Sequence, residues 1–173
     1  MNNKIKVEAV VGHIDSNTFV VEENGTIVLI DAGAPLNDVK KALGKRKPSA
    51  ILLTHEHFDH VYHIDYYKKE FACPIFSPTS EDEIVVEKMV IKPILAPGHS
   101  PKSVVYLIGD SLFTGDVLFA MGIGRTDFPE SNPREMQKTL NRLLGIKFVT
   151  AYHGHYEPSS YAQQQINIRR YIE

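Results

Sequence analysis

The segment Thr54-His55-Glu56-His57-Phe58-Asp59-His60 places three histidines and two carboxylates within seven residues. Neutral imidazole and carboxylate are the donors that divalent zinc, iron or manganese accept. Backbone form decides which of them converge. In an extended chain residues i and i+2 share a side, so His55 and His57 converge if the loop is extended. Asp59 and His60 then fall in the first turn of a following helix and face back across that loop. The helical zincin pattern H-E-x-x-H does not apply, because the fourth residue after His55 is Asp59. Glu56 is expected to point away, and Thr54 and Phe58 to be structural.

Further donors follow apolar runs downstream. "LAPGHSP" sets His99 behind the tight turn Pro97-Gly98, "LFTGD" sets Asp116 behind a glycine, and "TAYHGH" ends on His153 and His155. The summed set is His55, His57, Asp59, His60, His99, Asp116 and one of the last two histidines. That is too many donors for one tetrahedral ion but suits two, with Asp116 bridging. A hydroxide held between two cations is nucleophilic near neutral pH. His13 is read as a surface histidine, with a place near the site as the alternative.

The elements that must position these groups can be read from pattern. Residues 5–11 read as a strand, and "NTFVVEENGTIVLID" as a hairpin turning at Asn24-Gly25. Leu36, Val39 and Leu43 give a helical period with Gly44 as its stop. "SAILLT" is a short, wholly apolar run, the mark of a buried strand, and it delivers the chain to the histidine-rich loop. One helix is expected from near Asp59 to Phe71, then a short strand at 74–76. Two strands are expected over 84–96, and "SVVYLIG" with "SLFTGD" forms another hairpin. Asn132-Pro133-Arg134-Glu135 has the form of a helix start. That helix should reach about Leu144, with a strand "KFVTAY" and a last helix from Tyr161 after it. Strands in both halves, each half closing on a helix, predict an α/β fold: a four-layer αββα sandwich of two mixed sheets flanked by helices.

Composition narrows the class of function. A chain of 173 residues with 43% hydrophobic content suits one globular domain. A formal charge of −2 gives no basis for binding nucleic acid or an anionic membrane. No stretch has the length of a signal peptide's apolar core or of a membrane span, so a cytoplasmic location is expected. Cys73, the single cysteine, excludes an intrachain disulfide framework.

The series "THEHFDH", "PGHS", "TGD" and "GH" resembles the metallo-β-lactamase superfamily, whose αββα sandwich holds metals at one edge of its sheets. Matching features run from "NTFVV" and "LIDAG" to "GHYEPSS". The resemblance implies His55, His57 and His99 for one metal, and Asp59, His60 and a C-terminal histidine for the other, with Asp116 bridging. "GHYEPSS" is similar to the family's "GHGPxSS", which selects His155 over His153, although Tyr156 stands where the family has glycine. It also implies a supporting role for Asp31 behind the site.

"GDVLFAMGIGRTDFPESN" is similar to the segment after the bridging aspartate in glyoxalase II-like hydrolases and in persulfide dioxygenases. The first resemblance implies a thioesterase: a metal-bridging hydroxide, oriented by Asp59, attacks the carbonyl of a small thioester or ester. Two divalent ions, zinc first and iron or manganese as alternatives, would serve it. The second implies an oxidoreductase with a single iron on His55, His99 and Asp116. Hydrolysis of another ester or lactone is a further alternative. Glyoxalase II grips glutathione with a Lys and a Tyr near positions 125–127; here Arg125 could keep the charge, or it could pair with Asp127 to fix the loop. Tyr62 and His63 replace the family's usual Gly-Gly, and Tyr62 is expected to narrow the mouth. Eighteen residues follow His155, so no counterpart of the helical domain that completes the glutathione pocket is expected.

Overall fold

A computed structural model describes residues 5–12 and 14–172; His13 lies outside the described residues. The first half contains β1 (Lys6–Val11), β2 (Asn17–Glu23), β3 (Thr26–Ile30), α1 (Leu36–Leu43), β4 (Ala50–Leu52), α2 (Phe58–Val61), α3 (Ile64–Phe71) and β5 (Ile75–Phe76). The second half begins with β6 (Ile84–Val86), β7 (Met89–Leu95), β8 (Val104–Ile108) and β9 (Ser111–Phe113). It continues with β10 (Leu118–Phe119), β11 (Gly122–Ile123), α4 (Pro133–Leu143), β12 (Thr150–Tyr152), β13 (Ser159–Ser160) and α5 (Tyr161–Ile172). The strands form a five-stranded sheet in the order β1-β2-β3-β4-β5 and a six-stranded sheet in the order β13-β12-β9-β8-β7-β6. Strands β10 and β11 pair separately. Both large sheets are mixed: β3, β4 and β5 run parallel in the first, and β9 and β12 in the second.

Side-chain alternation along the central strands produces the layers. In β3 every residue is buried, yet the two faces go to different cores. Val28 and Ile30 point into the space between the sheets, against Tyr106, Ile108 and Phe113. Ile27 and Leu29 pack outward against Val39, Leu43 and Tyr67 of α1 and α3. Strand β8 repeats the scheme: Val104, Tyr106 and Ile108 face the first sheet, while Val105 packs with Met136, Leu140 and Ile168 of α4 and α5. Period-two alternation with both faces apolar is why these strands read as unbroken hydrophobic runs. The resulting helix–sheet–sheet–helix order is the four-layer α/β arrangement expected.

The local signals act as their chemistry requires. Asn24 (φ 52°) and Gly25 (φ 82°) supply the left-handed pair that turns β2 into β3. The Asn132 side chain accepts from the backbone N–H groups of Arg134 and Glu135 and so caps α4. One expectation fails. The helix anticipated from Asp59 to Phe71 is broken at Tyr62-His63 into α2 and α3. The carbonyl of His60 is taken by the N–H of Ala32 (2.7 Å), and the N–H of His63 donates to the carbonyl of Ala32 (2.9 Å). Both groups are thereby withdrawn from the helix ladder, and His60 stays anchored to the end of β3.

Strands β7 and β9 both run antiparallel to β8, and β12 runs parallel to β9, so β7, β9 and β12 share one direction. Their C-terminal ends, with those of β3 and β4, carry every histidine and aspartate of the expected site.

Replacing Asn132 with alanine removes the α4 cap. A loss of about 1 kcal/mol is expected, read as a lower urea midpoint at unchanged slope.

Candidate metal centre

Each site residue enters at the end of a strand. Asp31 follows β3; Thr54, His55 and His57 follow β4, and α2 then contributes Asp59 and His60. His99 follows β7, Asp116 follows β9, and His153 and His155 follow β12. The donor atoms of His55, His57 and His99 lie within 4.8 Å of one another. The same holds for Asp59, His60 and His155, and for His55, His60 and Asp116. Asp116 reaches both sides: Oδ1 is 3.2 Å from His60 Nε2, and Oδ2 is 3.7 Å from His99 Nε2 and 3.5 Å from His155 Nε2. The structure thus brings together all seven residues singled out from the sequence. His153 turns away, fully buried, with its ring nitrogens 2.8 Å from the hydroxyls of Thr114 and Ser159.

The hydrogen bonds on the outer sides of these imidazoles fix their protons. A carbonyl or carboxylate oxygen only accepts, so the nitrogen facing it must donate. His99 Nδ1 donates to the Arg125 carbonyl (2.9 Å) and His155 Nδ1 to the Asp15 carbonyl (2.9 Å). His60 Nδ1 donates to Asp31 (2.8 Å), and His57 Nε2 to Glu130 (3.0 Å). His55 Nδ1 lies 3.1 Å from the Thr54 hydroxyl, which donates its own hydrogen to Asp31 (2.7 Å) and therefore accepts from the ring. In the neutral form all five rings aim a lone pair inward.

That inward geometry suits divalent cations. His99 Nε2 and His57 Nδ1 are 2.9 Å apart. As neutral rings they would face lone pair to lone pair, so a cation or an added proton must sit between them. His55 Nε2, His60 Nε2 and Asp116 Oδ1 are buried and make no hydrogen bond within the described chain. Unsatisfied buried acceptors converging on one point are costly unless a positive charge satisfies them.

The titration tendencies show the same demand. Burial and the neighbouring His60 hold His55 well below the usual imidazole range. Burial also opposes charge on His60 and His155, but nearby carboxylates outweigh it. Asp31 and Asp116 raise His60, while Asp116 and Asp59 push His155 up to about 10. Burial disfavours ionised Asp116, yet His155 and His60 hold it far below the normal carboxylate range.

Close backbone approach permits this density. A Cβ on Gly154 would collide with Asp116 Oδ1 and lie 2.7 Å from His60 Cε1. Gly115, at φ 49°, packs its backbone on the Thr54 side chain, where a Cβ would meet Oγ1 at 2.6 Å.

Five of the seven donors, His57, Asp59, His99, Asp116 and His155, line a cavity of about 330 Å³ together with Phe119, Arg125, Phe128 and Tyr156. Arg125 is bound twice by Asp127, at 2.9 and 2.8 Å, and its guanidinium lies 4.4 Å over the Phe128 ring. Tyr62, expected at the mouth, is not among the lining residues. It sits at the end of α2, edge-on to Phe58 at 4.7 Å, because the helix break turns it outward. Tyr156, at φ 67°, is the tyrosine that lines the cavity. Glu56 points away and lies 3.5 Å from Lys102. Thr54, read from sequence as merely structural, links Asp31 to His55. Nothing in the sequence pattern marks Thr54, Glu130 or Ser16, whose hydroxyl donates to the Asp59 carbonyl at 2.7 Å.

This fold and site are those of a metal-dependent hydrolase class, and the profile of the metallo-beta-lactamase superfamily matches residues 11–87 and 76–155. The chain belongs to that superfamily. A probable metallo-hydrolase of Bacillus subtilis, YqgX, is 27% identical over 176 residues, spanning 81% of this chain and 82% of that protein. Hydroxyacylglutathione hydrolase of Brucella ovis is 28% identical over 175 residues, spanning 90% of this chain and 67% of its own length. The crystal structure of ETHE1 from Myxococcus xanthus superposes with a TM-score of 0.83 at 24% identity, over 96% of this chain and 84% of that one. At that identity the likeness concerns the fold. None of the helices among the described residues is long and apolar enough to cross a membrane.

Because Asp116 and Asp59 push His155 up to about 10, its protonated form is favoured at neutral pH, and a cation bound there must displace that proton. Metal loading is therefore expected to release protons, and apparent affinity should rise about tenfold per pH unit for each proton displaced. Calorimetric titration with Zn²⁺ in buffers of different ionisation enthalpy measures that number.

Proposed function

We propose that the chain is a binuclear metallo-hydrolase acting on small thioesters or esters. His55, His57 and His99 would hold one divalent ion, Asp59, His60 and His155 the other, and Asp116 both. The observation that carries this reading is the inward convergence of five proton-fixed imidazoles and two carboxylates, of which His57, His99, His155, Asp59 and Asp116 line one cavity. Two divalent cations there would acidify water toward neutrality and polarise a carbonyl oxygen.

The chain's own groups do the rest. Asp59 orients the attacking oxygen by accepting a hydrogen bond at a carboxylate oxygen. Phe119, Phe128 and Tyr156 form an apolar wall against which an acyl group packs and sheds water. A departing thiolate needs no dedicated acid, because a free thiol titrates near about 8.5. Arg125 stands at the mouth, where it can meet an anionic part of the substrate once it exchanges its surface pairing with Asp127. The similarity to hydroxyacylglutathione hydrolase supports thioester chemistry, with zinc or iron both compatible with a nitrogen and oxygen donor set.

Metal analysis of protein purified without chelator, together with assays on a glutathione thioester and an uncharged thioester, tests the proposal. About two equivalents per chain and turnover lost in His55→Ala are expected. One equivalent of iron, with oxygen consumed in the presence of glutathione persulfide and no thioester turnover, would establish an oxidoreductase on His55, His99 and Asp116 instead. A metal-free protein whose stability ignores His55→Ala would point to a non-catalytic domain.

A further inference from the structure

The two sides of the cluster are held by different parts of the chain. His60 and His155 are anchored from the first sheet's edge, by the buried carboxylate of Asp31 and the carbonyl of Asp15. His57 and His99 are held by the segment 125–131, which also lines the substrate cavity. Besides the bond from His99 to the Arg125 carbonyl, the Ser131 hydroxyl donates to the His99 carbonyl at 2.6 Å. The Phe128 ring stands edge-on to His57 and His99 at 5.6 and 5.8 Å. The link to His57 is the Glu130 carboxylate, 3.0 Å from Nε2, and both side chains reach solvent, at 44% and 25% exposure. A groove beside them, walled by Glu56, Ser100, Pro101 and Lys102, leaves that face of His57 open. Each of the other four rings is held by a backbone carbonyl or by the buried Thr54–Asp31 pair, not by an exposed side chain.

We infer that Glu130 is a positioning residue for the metal centre. By accepting from Nε2 it fixes the tautomer that aims His57 Nδ1 inward, and so sets the affinity of the His55–His57–His99 side without touching the Asp59–His60–His155 side. Without the carboxylate, His57 is free to rotate or to place its proton on Nδ1, which removes one of three nitrogen donors. A partner of this kind, hydrogen-bonded to a metal-ligating histidine, is worth about 10–100-fold in metal affinity. Because Glu130 belongs to the segment lining the cavity, displacement of that segment would loosen the same side. The inference rests on the reading of the cluster as a two-metal centre.

The test is Zn²⁺ binding to chelator-stripped parent, Glu130→Ala and Glu130→Gln proteins, measured by competition with a chromogenic chelator. Thermal midpoints of the stripped proteins report on folding. The parent should bind two ions. Glu130→Ala should bind one as tightly as the parent and the other about 10–100-fold more weakly, with an unchanged stripped midpoint. Glu130→Gln, which keeps an acceptor oxygen, should recover most of the loss. An alanine variant that holds both ions like the parent, or loses both equally, would overturn the role of Glu130 alone. A parent that binds no Zn²⁺ would overturn the two-metal reading and this inference with it.

Discussion

The buried carboxylate of Asp31 accepts from the Thr54 N–H at 2.8 Å, from the Thr54 hydroxyl at 2.7 Å and from His60 Nδ1 at 2.8 Å. Those contacts join the end of β3 to the loop after β4 and to α2, the pieces that carry four of the site's donors. Asp31 itself adopts φ 62°, a left-handed conformation unfavourable for a residue with a side chain. The strain is held because its backbone N–H remains bonded to Leu52 (2.9 Å) while its side chain turns back beneath the loop. The same carboxylate thus ties His60, and the loop that carries His55, to the end of β3.

Packing two carboxylates and five imidazoles at the end of a sandwich opposes folding. Like charges and converging lone pairs repel, and burial deprives them of water. The molecule offsets this with three hydrophobic clusters built from alternating strand residues, which anchor the strands that end at the site. Gly115 and Gly154 let backbone pass within contact of Thr54 and Asp116, so the donors close to a spacing that suits cations. The repulsion that remains is the driving force for taking up positive charge. Stability and function therefore pull against each other at this edge, as expected where a site is preorganised for a charge it must receive.

The wall of the cavity and the support of the histidine cluster share one segment. Residues 125–131 present Arg125 and Phe128 to the cavity while bonding to His57 and His99 from outside. A change made in this segment for substrate shape therefore also acts on the histidines behind it. With Tyr62 turned outward, the aromatic surfaces of Phe119, Phe128 and Tyr156 are the main lining beside the donors.

The sequence alone determined the layers and the inventory of donors. Alternation, turn residues and caps are local, so β2–β3, α1, β7–β8 and α4 could be read from neighbouring residues. The i, i+2 spacing of His55 and His57 likewise fixes their convergence once the loop is extended. Family resemblance, rather than spacing, distinguished His155 from His153; the buried hydroxyls of Thr114 and Ser159 that hold His153 away appear only in three dimensions. The break between α2 and α3 was invisible because Ala32, which causes it, lies far back in the loop after β3. Asp31 and Glu130 meet their histidines across 29 and 73 residues, separations that leave no periodic trace. Which nitrogen of each ring carries its proton, and so which one faces the cluster, was decided only when the tertiary structure placed an oxygen behind it.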